Sequence, residues 1–309
     1  MPVPDRLATV AVIGNGIIGH GVAQVFAAAG VDVVLVGRSD MSLVRAIEKI
    51  ATSLQEFVRH GLLSASAADA ALSRVRTTTR LEDAGAAQLV IEAVTQDVPL
   101  KLDLFERLDA ICVPPTVLAS SSGQPASELV ERVRHRERVL AAHFWFPPQL
   151  IPLVEVCAGP ETDPAVVAFT CDALRRAGKE PAVIDREIPG FIGNRLQFAL
   201  LREAWALWAS GAASAEAIDL VVRTSIGRRL GVTGPLESAD LGGIGTMLAF
   251  AEFLQPHLDV APLPPARVAD AAASRSGVFG LGEDARASLT SARMDELFRW
   301  MLADRGSAS

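Results

Sequence analysis

Two residues of this chain have the types and the spacing for acid–base chemistry. His143 ends the apolar segment RVLAAH, and Glu155 lies twelve residues later inside the apolar segment IPLVEVC. Because burying an unpaired carboxylate is costly, a glutamate in an apolar strand predicts a partner, and a histidine is the obvious one. Glu155 would orient the imidazole ring while the second ring nitrogen takes a proton from a hydroxyl group. A histidine at a strand end can also be purely structural, so the spacing alone leaves both interpretations open.

Two further polar residues stand out near the ends of predicted elements. Ser122 belongs to the turn Ser120-Ser121-Ser122-Gly123, which follows a predicted strand. Asn194 lies in the segment GFIGNRL, at the first turns of a predicted helix. Each has an ordinary interpretation, as a turn serine and as a helix residue, and Ser121 is nearly as good a candidate as Ser122.

A glycine-rich turn near the start of the chain predicts a dinucleotide site. The apolar run Val10–Ile13 leads directly into G-N-G-I-I-G, and an apolar helix, Ile17–Ala29, is predicted to follow. Such a turn between a buried strand and a helix places free N–H groups and a partial positive charge against phosphates. The candidate cofactor-binding residues of this turn are Gly14, Asn15, Gly16, Ile17, Ile18 and Gly19.

The end of the second predicted strand bears on which dinucleotide is bound. NAD-specific sites usually carry an acidic residue there, about 20 residues past the turn, on the ribose 2′-hydroxyl. Here the strand Val33–Val36 ends in Gly37, Arg38 and Ser39. A guanidinium and a hydroxyl suit a 2′-phosphate, so Arg38 and Ser39 favour NADP, with NAD possible if Arg38 is only a solvated surface residue. Asp40 is interpreted as the N-cap of the next helix.

Alternating strands and helices must position these residues. Buried apolar runs separated by helical segments are typical of an α/β fold with a Rossmann-type, doubly wound sheet. The predicted strands are Val10–Ile13, Val31–Val36, Gln88–Val94, Thr116–Ser120, Arg138–His143, Leu153–Cys157 and Ala182–Ile184. The predicted helices between them are Ile17–Ala29, Met41–His60, Ser64–Arg74 (capped by Ser64 or Ser66), Pro99–Ala110, Ser127–Arg134 and Pro164–Ala177.

The pattern changes at Pro189, after which only helices are predicted. A smaller all-helical C-terminal domain therefore follows, with residues 1–187 forming the dinucleotide-binding domain and residues 188–309 a helical substrate and dimerisation domain. Its predicted helices are Gly190–Ser210, Ala215–Ser225, Leu236–Leu254, Pro265–Ser274 and Thr290–Leu302. Surplus apolar residues on these helices favour a homodimer.

Composition narrows the class of protein. A length of 309 residues favours two domains, and a net charge of −7, with both signs spread along the chain, argues against a nucleic-acid partner. Cys112, Cys157 and Cys171 are widely spaced and odd in number, which indicates reduced thiols in a cytoplasmic protein and no metal site. No signal segment or membrane span is expected.

The chain resembles the 3-hydroxyacyl-CoA dehydrogenase family. The family signature H-x-x-N-P, LVEV and G-F-x-x-N-R occurs in order and at the expected spacing, and further matches extend the resemblance over nearly the whole chain. The matching segments are His143–Pro147, Leu153–Val156, Gly190–Arg195, Ile91–Val94 with the later Lys101, and Gly234–Gly243.

The resemblance implies roles for individual residues. His143 would be the acid/base on the 3-hydroxyl or 3-keto oxygen, with Glu155 as its partner. Ser122 and Asn194 would hydrogen-bond the substrate oxygen and the acyl carbonyl. Glu92, Gln96 and Lys101 are placed among the cofactor-binding residues. The implied reaction interconverts an L-3-hydroxyacyl thioester and its 3-keto form by hydride transfer with a nicotinamide cofactor.

Three departures from the family pattern leave the substrate open. Phe146 stands where the signature has asparagine, Gln96 where a glutamate is usual, and Gly37-Arg38 where an NAD-selecting aspartate is usual. The segment Pro147–Pro164 also resembles the gulonate and carnitine dehydrogenase branch, which acts on free hydroxy acids. The leading expectation is an NADP-preferring thioester dehydrogenase. The alternatives are a dehydrogenase of a small free hydroxy acid and a weakly active cofactor-binding protein.

Overall fold

The computed structural model describes residues 3–4, 7–274 and 277–307. The chain divides into two compact units. The first comprises Met1–Ile192 together with Arg293–Ser309, and the second comprises Gly193–Ala292. Among the described residues, no helix combines the length and the apolarity that a bilayer span requires.

An eight-stranded sheet forms the centre of the first unit, with strand order β3-β2-β1-β4-β5-β6-β7-β8. The strands are β1 (Thr9–Ile13), β2 (Asp32–Val36), β3 (Val75–Thr78), β4 (Leu89–Glu92), β5 (Val117–Ser120), β6 (Val139–Phe144), β7 (Leu153–Ala158) and β8 (Glu180–Ile184). Strands β1 to β6 are all parallel to one another. Strand β7 runs antiparallel to β6, and β8 is parallel to β7. The predicted α/β fold is therefore confirmed.

Helices cover both faces of this sheet, which explains why its central strands are continuous apolar runs. The helices of the first unit are α1 (Gly19–Ala28), α2 (Asp40–Arg59), α3 (Ala65–Ser73), α4 (Val98–Ile111) and α5 (Pro164–Arg176). Two apolar clusters result, one on each face, with Phe26 central to the first and Phe105 to the second. Ser64 caps α3 by accepting from the Ala67 N–H, as one of the two predicted alternatives has it.

Three local predictions in the first unit were wrong. Ser39, not Asp40, is the N-cap of α2, because its hydroxyl accepts from the Ser42 N–H. The predicted helix Ser127–Arg134 is only a 3₁₀ turn at Ala126–Glu128, since the Arg134 N–H donates to the Asp109 carboxylate and not to a helical carbonyl.

The third error is the strand β3, which was not predicted. Its sequence VRTT has one apolar residue, and its side chains are only partly buried or exposed. It is an edge strand of the sheet, paired on one side with β2. Such a strand needs no apolar run, because one face and one edge can remain solvated.

The second unit is helical throughout its described residues. Its elements are α6 (Phe191–Ser210), α7 (Ala215–Thr224), α8 (Ile226–Arg229), α9 (Pro235–Leu241), α10 (Ile244–Leu254), α11 (Ala266–Ala273) and the start of α12 (Glu283–Ser307). The predicted single helix Leu236–Leu254 is divided into α9 and α10 because Gly243 has φ +85°, a left-handed value that ends a helix. The predicted helix Thr290–Leu302 is longer at both ends, and the last part of α12 belongs to the first unit, where Phe298 packs on Phe57.

Candidate active site

The carboxyl ends of the parallel strands bring the candidate residues to one edge of the sheet. Ile13, which precedes the glycine turn, pairs with Glu92 at the end of β4. Glu92 pairs with Ser120 at the end of β5, and Ser120 pairs with Ala141 on β6. Since neighbouring strands lie about 4.8 Å apart, the segments that follow these residues lie side by side. Ser122 and His143 are each two residues beyond a registered pair.

His143 and Glu155 form a direct pair. They are opposite each other in the antiparallel register of β6 and β7, and His143 Nδ1 lies 2.8 Å from Glu155 Oε2. The Glu155 side chain is 2 % exposed and the His143 side chain is 13 % exposed. Because a carboxylate only accepts, the imidazole carries its proton on Nδ1, which leaves the Nε2 lone pair free to take a proton.

Two more groups fix the Glu155 carboxylate. The Trp145 indole N–H donates to Oε2 at 3.1 Å, and the Ile192 backbone N–H donates to Oε1 at 2.9 Å. The preceding residue, Phe191, is fully buried with φ +49°, and its ring centroid is 6.0 Å from that of His143. A left-handed conformation at a phenylalanine is strained, so packing around the pair holds this turn in place.

A second buried polar chain lies beside the first. The Ser120 hydroxyl donates to Glu92 Oε2 at 2.6 Å and lies 2.9 Å from the Ser122 hydroxyl. Because the single Ser120 proton goes to the carboxylate, Ser122 donates to Ser120 and keeps its own lone pairs for another donor. Ser122 is 5 % exposed, at the same sheet edge as His143.

Lys101 completes this chain. Its Nζ lies 3.1 Å from Glu92 Oε2, and both side chains are buried. The distance from Nζ to Glu92 Oε2 is that of an ion pair, but the two groups are not aligned as a hydrogen bond. Nζ makes no hydrogen bond to the described part of the chain. A buried ammonium group has three N–H donors, so Lys101 retains donors for a bound polar group.

The glycine turn has the form of a phosphate cradle. Gly14 has φ +104°, and a methyl group there would lie 2.5 Å from the Ala93 carbonyl oxygen. A methyl group at Gly19 would lie 1.8 Å from the Gly14 carbonyl oxygen, whereas the space beside Gly16 is open. No side chain caps the N-terminus of α1, where Ile18 is the N-cap, although the His20 N–H already donates to the Gly16 carbonyl oxygen at 3.2 Å. These features fit the pyrophosphate of a dinucleotide.

The remaining candidate residues are placed as follows. Arg38 is exposed just beyond the end of β2 and makes no salt bridge or hydrogen bond to the described residues. Gln96 is exposed in the turn after β4, and the Phe146 side chain is 57 % exposed beside the His143 segment. Asn194 lies in the first turn of α6 and is partly buried, but it belongs to the second unit.

Sequence reasoning missed Trp145 and the Phe191–Ile192 turn. Trp145 is two positions after His143, and alternation along an extended segment places such residues on the same side, so this spacing was a usable signal. The Ile192 backbone N–H leaves no trace in the sequence. In the described chain, no group of three His, Cys, Asp or Glu side chains could hold a metal ion.

A dinucleotide cradle and a buried His–Glu pair at one sheet edge define a nicotinamide-dependent dehydrogenase. The chain belongs to the 3-hydroxyacyl-CoA dehydrogenase family. Residues 9–188 match the model "3-hydroxyacyl-CoA dehydrogenase, NAD binding domain", and residues 190–277 match the C-terminal domain of the same family. The predicted family is thereby confirmed, and the chain is an oxidoreductase that uses a nicotinamide cofactor.

Two of the similar proteins have names that describe a substrate other than a thioester. An L-carnitine dehydrogenase of Streptomyces griseus is 38 % identical over 258 residues, 82 % of this chain and 76 % of that protein. The 5-formyl-3-hydroxy-2-methylpyridine 4-carboxylate 5-dehydrogenase of Mesorhizobium japonicum is 34 % identical over 263 residues, 83 % and 84 % of the two chains. A crystal structure of an enzyme with that activity, described as an NAD+ dependent dismutase, has a TM-score of 0.87 at 28 % identity and covers 96 % of this chain and 98 % of its own.

Proposed function

We propose that this enzyme oxidises the secondary alcohol of a small hydroxy acid to the ketone, and reduces the ketone in the reverse direction, with His143 as the acid/base. The observation that carries the proposal is the 2.8 Å contact between His143 Nδ1 and Glu155 Oε2 beside the glycine turn. Nε2 of His143 takes the hydroxyl proton during oxidation and returns it during reduction. Glu155 stabilises the imidazolium that forms, because it is buried and ionised.

The cofactor is held by the cradle at the same sheet edge. We assign Gly14, Asn15, Gly16, Ile17, Ile18 and Gly19 to its pyrophosphate. Glu92, Gln96 and Lys101 are assigned to its nicotinamide end, since Glu92 ends β4, the strand next to β1, and the other two follow it. When bound, the nicotinamide supplies hydride transfer to or from the carbon that bears the substrate oxygen.

Ser122 and Asn194 are proposed to bind the substrate. Ser122 donates to Ser120, so toward the substrate it offers lone pairs that can accept from a donor other than the reacting hydroxyl, whose single proton goes to His143 Nε2. Asn194 is proposed because Gly190–Arg195 resembles the family signature G-F-x-x-N-R, and its amide can donate to a carboxylate or carbonyl oxygen.

Arg38 supports a preference for NADP. Its guanidinium is exposed where β2 ends and is not neutralised by any described carboxylate, so it is free to bind a 2′-phosphate bidentately. Ser39 keeps its hydroxyl proton for the phosphate while its oxygen caps α2. For Arg38→Ala we expect the NADPH-over-NADH ratio of kcat/KM to fall about 10- to 150-fold, the range for one hydrogen-bonded charge. An unchanged ratio contradicts the preference.

A free hydroxy acid is favoured over a thioester by a carnitine dehydrogenase and a pyridine-carboxylate dehydrogenase, which match 82 % and 83 % of the chain, against 77 % and 79 % for two CoA-thioester dehydrogenases. The 3-hydroxyacyl thioester remains the second candidate because the family description covers nearly the whole chain. Free CoA distinguishes the two, since it competes only at a site that binds the thioester carrier.

The test measures NADPH and NADH oxidation with free 3-keto acids and with acetoacetyl-CoA. His143→Gln should abolish turnover and leave cofactor binding, measured by fluorescence quenching, nearly intact. His135→Gln is the matched control, because that side chain is exposed and paired only with an exposed Glu137. Turnover by His143→Gln at the wild-type rate refutes the proposed mechanism, and tight cofactor binding with no turnover of any substrate supports the weakly active alternative.

The partner proposed for the second unit is another copy of the chain. Among the described residues of Gly193–Ala292, only Ala215 is buried, whereas Ile244, Leu248, Phe250 and Phe253 on α10 are all exposed. A unit of this size without buried large side chains lacks a core of its own. A homodimer should sediment at twice the chain mass of 32.6 kDa, and Phe250→Asp should shift it toward the monomer. A wild-type monomer refutes this proposal.

A further inference from the structure

Trp145 makes a contact with the acid–base pair that the proposed mechanism does not use. Its indole N–H donates to Glu155 Oε2 at 3.1 Å, and the same oxygen accepts from His143 Nδ1 at 2.8 Å. The two rings are 5.7 Å apart between centroids and tilted by 59°, so neither stacks on the other. The link between them is the shared carboxylate oxygen.

We propose that Trp145 is a positioning residue that sets how tightly the His143–Glu155 pair holds a proton. This inference rests on the proposed function, because it concerns the same acid–base pair. An indole N–H can only donate, so Trp145 stabilises the ionised carboxylate whatever the state of the imidazole. Two donors on one oxygen divide its negative charge. Trp145 therefore weakens the hold of Glu155 on the imidazolium and lets His143 release its proton at lower pH.

The contact also fixes the orientation of the carboxylate. The Ile192 N–H donates to Oε1, and the Trp145 N–H donates to Oε2. With both oxygens bound, Oε2 stays directed at His143 Nδ1, and the ring nitrogen Nε2 stays directed away from the pair. Packing of the ring could hold the indole in place without any effect on the carboxylate. The test must therefore remove the N–H group while it keeps the size of the ring.

The decisive variant replaces Trp145 with 3-benzothienylalanine, in which sulfur takes the place of the indole N–H in a ring of nearly the same size. Trp145→Phe is a second variant, but the smaller ring leaves room for a water molecule that can donate in place of the indole. Trp208 replaced by 3-benzothienylalanine is the matched control, since that ring lies in the second unit under the Arg267 guanidinium.

The first readout needs no substrate. The imidazole signal of His143 is followed by NMR against pH in histidine-labelled protein, and His143→Gln identifies it among the five histidines. We expect the midpoint of the His143 titration to rise by about half to one pH unit in the Trp145 isostere. This is less than the roughly one to two units that a hydrogen bond to a charged group corresponds to, because the bond acts on His143 only through Glu155. The control should not move it. A midpoint that stays within about 0.2 unit of wild type, or that falls, overturns the inference.

The second readout is the pH profile of kcat/KM. In the oxidation direction His143 must be unprotonated, so the acidic limb should move to higher pH by the same amount. If the Trp145 variants lose kcat/KM equally at every pH and the acidic limb does not move, Trp145 has only a packing role and the inference is overturned. His143→Gln separates the two proposals: if it stays active the proposed function fails, whereas if it is inactive and the Trp145 variants leave the limb unmoved, only the Trp145 inference fails.

Discussion

Replacing Glu155 with glutamine removes the negative charge of the pair and changes little else in its shape. The carboxylate receives the His143 and Trp145 N–H groups on Oε2 and the Ile192 N–H on Oε1. A glutamine can therefore place its oxygen on the Oε2 side and satisfy two donors, but its NH2 group then faces the Ile192 N–H. The amide keeps the imidazole tautomer and takes the acceptor away from the part-buried Ile192 N–H.

Two magnitudes follow from this geometry. The lost hydrogen bond of the Ile192 N–H should lower the free energy of unfolding by about 1 kcal/mol. The lost charge should raise the barrier more, because a carboxylate about 4 Å from the imidazolium centre contributes roughly 4 kcal/mol at an effective dielectric constant near 20. That energy corresponds to a fall in kcat/KM of about 1,000-fold.

The assay compares kcat/KM and the urea midpoint of wild type, Glu155→Gln and Glu161→Gln. Glu161 is the control because its carboxylate is exposed and paired with a partly exposed Arg136 at 3.1 Å. The control should match wild type in both quantities, since exposed ion pairs contribute little. If Glu155→Gln keeps kcat/KM within about threefold of wild type, the charge of Glu155 does not assist proton transfer and the reasoning is refuted.

Three further predictions concern stability. Asp109→Ala should lower the free energy of unfolding by about 3–5 kcal/mol in urea denaturation, because it leaves the buried Arg138 guanidinium, now 2.6 Å from the carboxylate, unpaired; a loss under 1 kcal/mol would be inconsistent with this. Burial lowers the pKa of Lys179 to about 8, so the unfolded chain keeps a proton that the folded protein releases above that pH. The stability of wild type relative to Lys179→Met should therefore rise, by up to about 3 kcal/mol, between pH 8 and 10.5, and a flat difference argues against the buried charge. Gly19→Ala should weaken both folding and NADPH binding because its methyl group would lie 1.8 Å from a loop carbonyl oxygen, whereas Gly245→Ala, on helix α10 with open space around it, should weaken neither.

The sequence predicted the central sheet because each of its central strands can be recognised from its own residues. A strand buried on both faces is rich in apolar residues, as in VAVI and QLVIEAV, and most of the parallel strands here are followed by a helix. The glycine turn was equally accessible, since the conformation at Gly14 and the close approach at Gly19 each require a residue without a side chain. The resemblance to the family rests on other short segments, such as His143–Pro147 and Gly190–Arg195, which are also recognised from their own residues.

Elements whose form depends on distant residues could not be read in this way. Strand β3 is exposed and forms because β2 offers it an edge. The stretch after Ala126–Glu128 does not continue as a helix because a side chain of α4, Asp109, takes the Arg134 N–H. The prediction of Asp40 as a cap failed for a smaller reason, since Ser39 and Asp40 are both good caps and the choice depends on where the chain leaves β2.

The sequence by itself determined which chemistry is available: a histidine and a buried glutamate on neighbouring predicted strands, and a turn shaped for a dinucleotide. Only the tertiary structure decided how that chemistry is tuned. The antiparallel register places His143 opposite Glu155, and the turn at Phe191 brings the Ile192 N–H to the same carboxylate. Residue types and spacing are properties of the chain, whereas the number of donors that reach one oxygen depends on how separate segments pack.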